Sequence, residues 1–199
     1  MSNILDQLFS NFDYALLAFF HQLALKYSGV LTPISKFLAI IGNLPFLLLG
    51  YVAIVLIITK KYRKNGIVMF VSIILGAIIT SLLIKPLVYR LRPYQSDIEI
   101  YKTWWQYVGC SAESDSSFPS GHSCAAASGS LGLFLSFKNK KYIWPILIYP
   151  LLMACSRIYL CVHYPSDVVA GLIVGCLAAI IANLIVNEIY TKKYSLEAN

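Results

Sequence analysis

Long apolar runs separated by short polar tracts dominate the amino-acid sequence. A membrane-spanning helix needs about 20 mostly apolar residues, and five runs reach or approach that length with only one charged residue, Arg157, among them. These runs are Leu44–Thr59, Gly66–Ile84, Gly121–Phe137, Tyr142–Leu160 and Val168–Asn187. The pattern therefore predicts an all-α protein, a polytopic transmembrane helical bundle with five spans.

The first 43 residues are harder to assign from the pattern. Tyr14–Leu25 is apolar but short, and Leu31–Ile41 is also short and contains Lys36. Neither segment is long enough to span a bilayer alone, so we expect 1–43 to form two interfacial or re-entrant helices. The alternative is one bent helix through Tyr14–Ile41, which would give six spans and a cytoplasmic start.

Composition favours a membrane protein over a soluble one. The 199-residue chain is 58% hydrophobic and 13% charged, whereas soluble domains average about 45–50% apolar and about 25% charged residues. The net charge of +7 does not indicate nucleic acid, because the basic residues form short tracts between apolar runs and not one solvated face. We therefore expect membrane lipids as partners and no nucleic acid.

The basic tracts predict the orientation of the chain in the membrane. Nine of the 16 Lys and Arg residues lie in three tracts, at 60–64, 138–141 and 192–193. Alternating the five runs across the membrane places all three tracts on one side, and cytoplasmic loops are enriched in Lys and Arg. The expected arrangement is a multi-pass core at 44–190 in the cell membrane, a cytoplasmic tail at 191–199, and loop 85–120 outside.

Polar residues gather at the ends of the runs that are expected to face outside. Ionisable side chains at membrane depth are costly unless they are paired or solvated, and several cations at one depth would repel each other unless an anion lay between them. Arg and Lys both bind phosphate well, and a glycine at a helix start lets backbone N–H groups approach an anion. We therefore expect a phosphate cradle that consists of Lys85, Arg92, Ser120, Gly121 and Arg157.

Two histidines and an aspartate accompany this cradle. His163 and Asp167 are spaced i, i+4, which on a helix places both side chains on one face. A carboxylate bound to one ring nitrogen fixes the imidazole tautomer and leaves the other nitrogen free to attack. Pro165 suits the start of the last helix, and His122 remains available as a proton donor and acceptor. The pattern favours covalent catalysis with His163 as the nucleophile.

These residues form three motifs with defined spacing. They are Lys85-x6-Arg92-Pro93, Pro119-Ser120-Gly121-His122, and Ser156-Arg157-x5-His163-x3-Asp167. Together they resemble the three-part signature of the type 2 phosphatidic acid phosphatase family, whose superfamily also includes vanadium haloperoxidases and bacterial acid phosphatases. The resemblance covers residues 85–167 and shows no departure from the family pattern.

The resemblance implies a helical membrane phosphatase that needs no metal or other cofactor. It implies that His163 is the nucleophile, Asp167 its partner and His122 the acid and base, with the cradle residues binding phosphate at the outer leaflet. The expected reaction is hydrolysis of a lipid phosphate or diphosphate through a phosphohistidine. Undecaprenyl diphosphate, phosphatidylglycerophosphate and phosphatidic acid all remain possible substrates.

Two other functions are compatible with the same motifs. A vanadate-dependent oxidation catalyst is disfavoured by the membrane spans, because such an enzyme acts on small soluble substrates. A non-catalytic lipid-phosphate binding or transport protein would use the basic cradle alone. His122, His163 and Asp167 would then be unnecessary, so hydrolysis is the favoured hypothesis.

The outer loop carries two further features. Trp104, Trp105 and Tyr107 favour an interfacial aromatic belt, with a lid or a lipid-contacting wall as the alternative. The five cysteines lack a metal-ligand spacing, which agrees with the absence of a metal. Cys110 and Cys161 both lie near the outer face in this topology, and the sequence leaves their pairing open.

Overall fold

The computed structural model describes residues 2–43 and 45–197, and this part of the chain contains helices and no strands. Its α-helices are α1 (Ser2–Asn43), α2 (Pro45–Ile58), α3 (Arg63–Ala77), α4 (Lys85–Val88), α5 (Glu99–Val108), α6 (Gly121–Ser136), α7 (Ile148–Tyr159) and α8 (Pro165–Glu197). A π-helix, Ile78–Ile84, joins α3 to α4, and short 3-10 helices lie at Lys60–Tyr62, Pro93–Gln95 and Trp144–Leu147. Leu44, the first residue of a predicted span, and 198–199 of the predicted tail lie outside the described residues.

Helix α6 lies at the centre of the bundle and packs against α3, α7 and α8. Its buried residues are mostly small, from Ser123 to Ser130, so neighbouring backbones can approach closely. The approach of α8 is the tightest. A Cβ atom at Gly171 would lie 2.4 Å from the Ser120 carbonyl oxygen, and one at Gly175 would lie 2.5 Å from that of Cys124. These glycines hold the start of α8 against the start of α6.

The outward faces of the helices are apolar, as a lipid environment requires. Leu82 is 69% exposed, Ile173 55% and Leu184 63%. By length and hydropathy, three described helical segments qualify as membrane spans, Ile4–Gly42, Lys60–Gln95 and Pro165–Lys192. The predicted fold class, an all-helical transmembrane bundle, is confirmed.

The predicted spans differ from the helices mainly at their ends. Helix α8 is longer than the predicted Val168–Asn187 at both ends, because Pro165 starts it. Helix α7 is shorter than the predicted Tyr142–Leu160, because the segment Trp144–Leu147, which contains a proline, forms a 3-10 helix. The remaining runs correspond to α2, α3 with its π-helix, and α6.

The N-terminal segment consists of two helical arms that meet at a kink. Helix α1 is continuous except at Tyr27, whose φ and ψ of −132° and 22° are non-helical. This kink falls in the gap between the two predicted segments, so it agrees with two short helices as well as with one bent helix. The arm before the kink contacts the start of α8, and the arm after it contacts α7. Ser166 donates to Asp13 at 2.8 Å, and Ser156 donates to the carbonyl of Ser35 at 3.0 Å.

The basic tracts lie at one end of the bundle and the polar motifs at the other. At the basic end, Asn65 donates to the Ser136 hydroxyl at 3.0 Å, and Lys64 lies 5.4 Å from the ring centroid of Tyr190. Ser136 ends α6, whereas the motif residue Gly121 begins it. This separation is the one that the alternating topology predicts.

The aromatic residues of loop 85–120 pack partly against the bundle. Trp104 is buried, and its ring stacks on His21 of α1 with centroids 5.0 Å apart. Trp105 stacks on Tyr94 at 4.6 Å. The interfacial-belt prediction is therefore wrong for Trp104, which attaches α5 to the bundle, whereas it stays a prediction for Trp105 and for Tyr107, which is 48% exposed. Cys110 and Cys161 are both free thiols in the structure.

Candidate active site

A cavity of about 230 Å³ opens at the polar end of the bundle, beside the first residues of α6. The sequence-predicted residues that line it are Lys85, Arg92, Gly121, His122 and His163. They come from the start of α4, a 3-10 turn, the first turn of α6 and the turn before α8. The folded chain thus brings together side chains from all three sequence motifs.

His163 is buried, and its two ring nitrogens face different surroundings. Nε2 lies 3.3 Å from Nη1 of Arg92, on the side of the cavity, whereas Nδ1 faces Ser117 and Asp167. Burial lowers the pKa of His163 well below 6.5, and the nearby charges of Arg92, Arg157 and Lys85 lower it further. The imidazole is therefore neutral at neutral pH, which is the form that can act as a nucleophile.

The link between His163 and Asp167 is less direct than the sequence predicts. Nδ1 of His163 lies 3.8 Å from Oδ2 of Asp167, which is too long for a hydrogen bond. Ser117 lies between them, with its hydroxyl 3.3 Å from His163 Nδ1 and donating to Asp167 Oδ2 at 2.6 Å. The i, i+4 argument assumed a helix, but α8 begins only at Pro165, so His163 lies in the preceding turn.

Asp167 lies behind His163 and is held by several donors. The backbone N–H of Tyr164 donates to Oδ2 at 2.9 Å, and Arg90 donates to Oδ1 at 2.6 Å. Arg90 is itself buried and also binds Asp13 at 2.9 Å and Asp6 at 2.7 Å. The N-terminal helix is thereby connected to the aspartate of the third motif.

Sequence reasoning missed Ser117, Arg90 and Asp13. Arg90 lies two residues before Arg92, and Asp13 directly precedes an apolar segment. The available signal for Asp13 was an acidic residue beside an apolar segment. The available signal for Arg90 was a second arginine beside the first motif. Ser117 belongs to a serine-rich loop and carries no comparable signal.

Arg92 has contacts for all of its N–H groups. Nε donates to the Asp115 carbonyl at 3.1 Å, and Nη1 donates to the Val162 carbonyl at 2.8 Å. Nη2 lies 2.6 Å from Oδ1 of Asp115 and 2.6 Å from Oε2 of Glu113. Lys85 forms an ion pair with the same Asp115. Burial alone would raise the pKa of Asp115, but hydrogen bonds and charge from Lys85 and Arg92 lower it to about 2.

Arg157 also faces this acidic pair. Its Nη1 lies 3.7 Å from Oε1 of Glu113, and Nη2 donates to the Ser156 hydroxyl at 3.2 Å. Its Nε is buried without a hydrogen-bond partner among the residues described. Arg157 therefore retains a donor for an additional acceptor.

Ser120 does not contribute its hydroxyl to the cavity. The hydroxyl is the N-cap of α6 and accepts from the backbone and side chain of Ser123 at 3.4 and 3.0 Å. The Ser120 N–H donates to the Asp167 carbonyl at 3.0 Å. Gly121, by contrast, lines the cavity, and a Cβ there would lie 4.0 Å from Nζ of Lys85. The N-terminus of α6 thus faces Lys85 across the cavity. The partial positive charge at this end of the helix favours a bound anion.

Glu113, His122 and His163 form a cluster of potential metal ligands. Their ligand atoms lie within 4.8 Å of one another, and such ligands suit a transition metal. However, Arg92 and Arg157 both contact the same carboxylate, and guanidinium groups at this distance oppose a bound cation. The charge distribution favours an anion over a metal ion.

Comparison with known proteins agrees with this geometry. Residues 65–190 match the profile of the PAP2 superfamily. The chain belongs to the PAP2 superfamily. The resemblance to the type 2 phosphatidic acid phosphatase signature is thereby confirmed.

Two relatives in sequence illustrate the match. The chain is 33% identical over 125 residues to the undecaprenyl-diphosphatase of Sulfolobus acidocaldarius, which covers 62% of this chain and 56% of that protein. It is 30% identical over 172 residues to the bacitracin transport permease protein BcrC of Bacillus licheniformis, which covers 86% of this chain and 79% of that protein. The match thus spans little more than half of the first relative.

A solved PAP2 structure has the same fold. The phosphatidylglycerolphosphate phosphatase of Bacillus subtilis superposes with a TM-score of 0.58 at 24% identity, over 89% of this chain and 96% of that one. At this identity the likeness establishes the architecture alone. It shows that the arrangement described here is that of a transmembrane PAP2 protein.

Proposed function

We propose that this protein is a membrane lipid phosphatase, most active on an isoprenoid diphosphate such as undecaprenyl diphosphate. The observation that carries the proposal is a single cavity lined by His163, His122, Lys85 and Arg92. A neutral imidazole and several fixed cations are what nucleophilic attack on a phosphoryl group requires. The relative named undecaprenyl-diphosphatase supports the choice of substrate.

In the first chemical step, Nε2 of His163 attacks phosphorus. The new N–P bond forms as the P–O bond to the leaving group breaks, and protonated His122 donates its proton to the departing oxygen and becomes neutral. Lys85, Arg92, Arg157 and the start of α6 stabilise the negative charge on the other phosphoryl oxygens. Preorganised donors of this kind are worth about 10²–10³ in rate each.

The second step regenerates the enzyme. Neutral His122 removes a proton from water, the water oxygen attacks the phosphohistidine, and the N–P bond breaks to release inorganic phosphate. His163 keeps its Nδ1 proton throughout, directed at Ser117 and Asp167. Asp167 and Ser117 therefore hold one tautomer and stabilise the positive charge that develops on the ring.

The site is proposed to face the outside of the cell. The basic tracts 60–64 and 138–141 lie at the opposite end of the bundle from the cavity, and Lys- and Arg-rich loops are usually cytoplasmic. Helix α1 contacts the cavity end through both arms, which supports an interfacial position for 1–43. Residues 44–190 would then form the catalytic core and 191–199 a cytoplasmic tail.

Single-cysteine labelling in intact cells tests this orientation. A membrane-impermeant thiol reagent should label Ser96→Cys, on the cavity side, and should leave Asn139→Cys at the parent chain's background level. Asn139 lies in the exposed turn after α6 at the basic end. Labelling of Asn139→Cys alone would place the cavity on the cytoplasmic side.

A phosphate-release panel in detergent tests the activity itself. Purified protein would be given undecaprenyl diphosphate, phosphatidylglycerophosphate and phosphatidic acid, with His163→Ala as the matched control. We expect the fastest release from the diphosphate and none above background from the variant. Absence of release from all three lipids would contradict the proposal.

Binding or transport of a lipid phosphate without hydrolysis is the second candidate. The name of the Bacillus licheniformis relative, a bacitracin transport permease protein, favours it. A protein of this kind would bind undecaprenyl diphosphate equally well as wild type and as His163→Ala, with no phosphate released by either. Release that depends on His163 would exclude it.

A further inference from the structure

The arginine at the centre of the cradle has no donor left for a substrate. A guanidinium has five N–H groups. Those of Arg92 point to the carbonyls of Asp115 and Val162, to Nε2 of His163 at 3.3 Å, and to the carboxylates of Glu113 and Asp115. Two backbone carbonyls cannot leave without moving the chain. The two carboxylates can leave, because they are side chains.

These two carboxylates occupy the positions that suit anions best. Glu113 lies between Arg92 and Arg157, and a carboxylate oxygen lies within 4.8 Å of ligand nitrogens of both His122 and His163. Asp115 lies between Arg92 and Lys85. Both acids contact the same Nη2 atom of Arg92, so the two positions are adjacent.

We infer that Glu113 and Asp115 are internal anions that hold two neighbouring phosphoryl subsites until substrate displaces them. Glu113 marks the subsite of the phosphoryl group that His163 attacks, and Asp115 marks the subsite of a second phosphoryl group. A diphosphate ester displaces both carboxylates, whereas a monophosphate displaces only Glu113. Asp115 is thus a specificity-determining residue. The inference rests on the proposed function for the identity of the ligand.

The loop that contains Glu113 and Asp115 has a fixed backbone, and its two acidic side chains can move while the backbone stays in place. The Glu113 backbone is fixed by Tyr94, whose hydroxyl donates to the Glu113 carbonyl at 2.9 Å and accepts from its N–H at 2.8 Å. The N–H of Ser117 donates to the Arg90 carbonyl at 2.8 Å. The carboxylates themselves are partly accessible, with side-chain exposures of 22% for Glu113 and 56% for Asp115. Rotation of two side chains therefore suffices to open both subsites.

Calorimetric binding to the purified full-length protein in detergent tests the inference. The probes are inorganic phosphate and methylenediphosphonate, a diphosphate analogue whose P–C–P bridge cannot be hydrolysed. If Glu113 competes with the ligand, Glu113→Gln should bind both probes about tenfold more tightly, which corresponds to about 1.4 kcal/mol. Asp115→Asn should tighten methylenediphosphonate by a similar factor and leave phosphate unchanged.

The matched control is Glu99→Gln, which removes the same charge from an exposed position at the start of α5. It should bind both probes as wild type does, since long-range charge effects are screened in salt. Unchanged or weaker binding of the probes by Glu113→Gln would show that the carboxylates hold the arginines in position for the ligand, and would overturn the inference. Equal tightening of both probes by Asp115→Asn would overturn the second subsite. These outcomes do not depend on lipid hydrolysis, which is measured separately.

Discussion

His163 and Asp167 are linked through the hydroxyl of Ser117. The direct distance between Nδ1 and Oδ2 is 3.8 Å, whereas Ser117 lies 3.3 Å from the imidazole and 2.6 Å from the carboxylate. His163, the proposed nucleophile, is therefore oriented by a serine and an aspartate acting in series. A serine hydroxyl can accept from Nδ1–H while donating to the carboxylate, so the arrangement satisfies both partners.

Replacement of Ser117 tests this linkage. Ser117→Ala removes the hydroxyl and leaves Nδ1 of His163 without a partner at hydrogen-bonding distance. Loss of one hydrogen bond costs about 0.5–1.5 kcal/mol, so we expect kcat to fall by up to about tenfold and KM to change little. Ser116→Ala, a neighbour whose hydroxyl contacts Arg90, is the control. Wild-type kcat in Ser117→Ala would mean that the aspartate contacts the ring directly during turnover.

The contact between Arg90 and Asp13 predicts a role for the N-terminal helix. Asp13 is almost fully buried and binds Arg90 and Ser166, whereas Asp6 binds Arg90 from a half-exposed position. Asp13→Asn should destabilise the protein by about 1–3 kcal/mol, because it leaves buried donors poorly satisfied. Asp6→Asn should cost less than about 1 kcal/mol, as exposed ion pairs do. Thermal unfolding in detergent compares the two, and equal losses would contradict the account.

The surroundings of His163 predict the pH dependence of activity. Burial and the cations Arg92, Arg157 and Lys85 lower its pKa below 6.5, so the imidazole stays neutral as pH falls through 6.5 and protonates only below that value. The acid limb of kcat/KM, which reports the free enzyme, should therefore lie below pH 6.5. Lys85→Gln removes one cation and should move this limb to higher pH with the same substrate. A limb that moves to lower pH in this variant would contradict the assignment.

The motif positions were predictable from sequence because they interrupt an apolar pattern. Arg157 and Lys85 stand at the ends of runs that contain almost no other charge. Because a charged side chain at membrane depth is costly, these two positions can be recognised from the sequence as functional candidates. The break in α1 was predictable from the gap between two short apolar segments, whereas the pattern did not decide between one bent helix and two separate ones. Ser117 and Glu113 were not predictable, because a loop's path over other helices decides which polar group meets the site.

Trapping of a covalent intermediate tests the central claim most directly. In His122→Ala, the first step with an aryl phosphate should be partly spared, since its leaving group is stable without a proton, whereas hydrolysis of the intermediate should be slowed. When the reaction with a phosphorus-labelled aryl phosphate is quenched rapidly, the labelled phosphoryl group should then remain on His163. His163→Ala should show no label and a loss of turnover of about 10³-fold or more. Label on a different residue, or near-normal turnover in His163→Ala, would contradict the account.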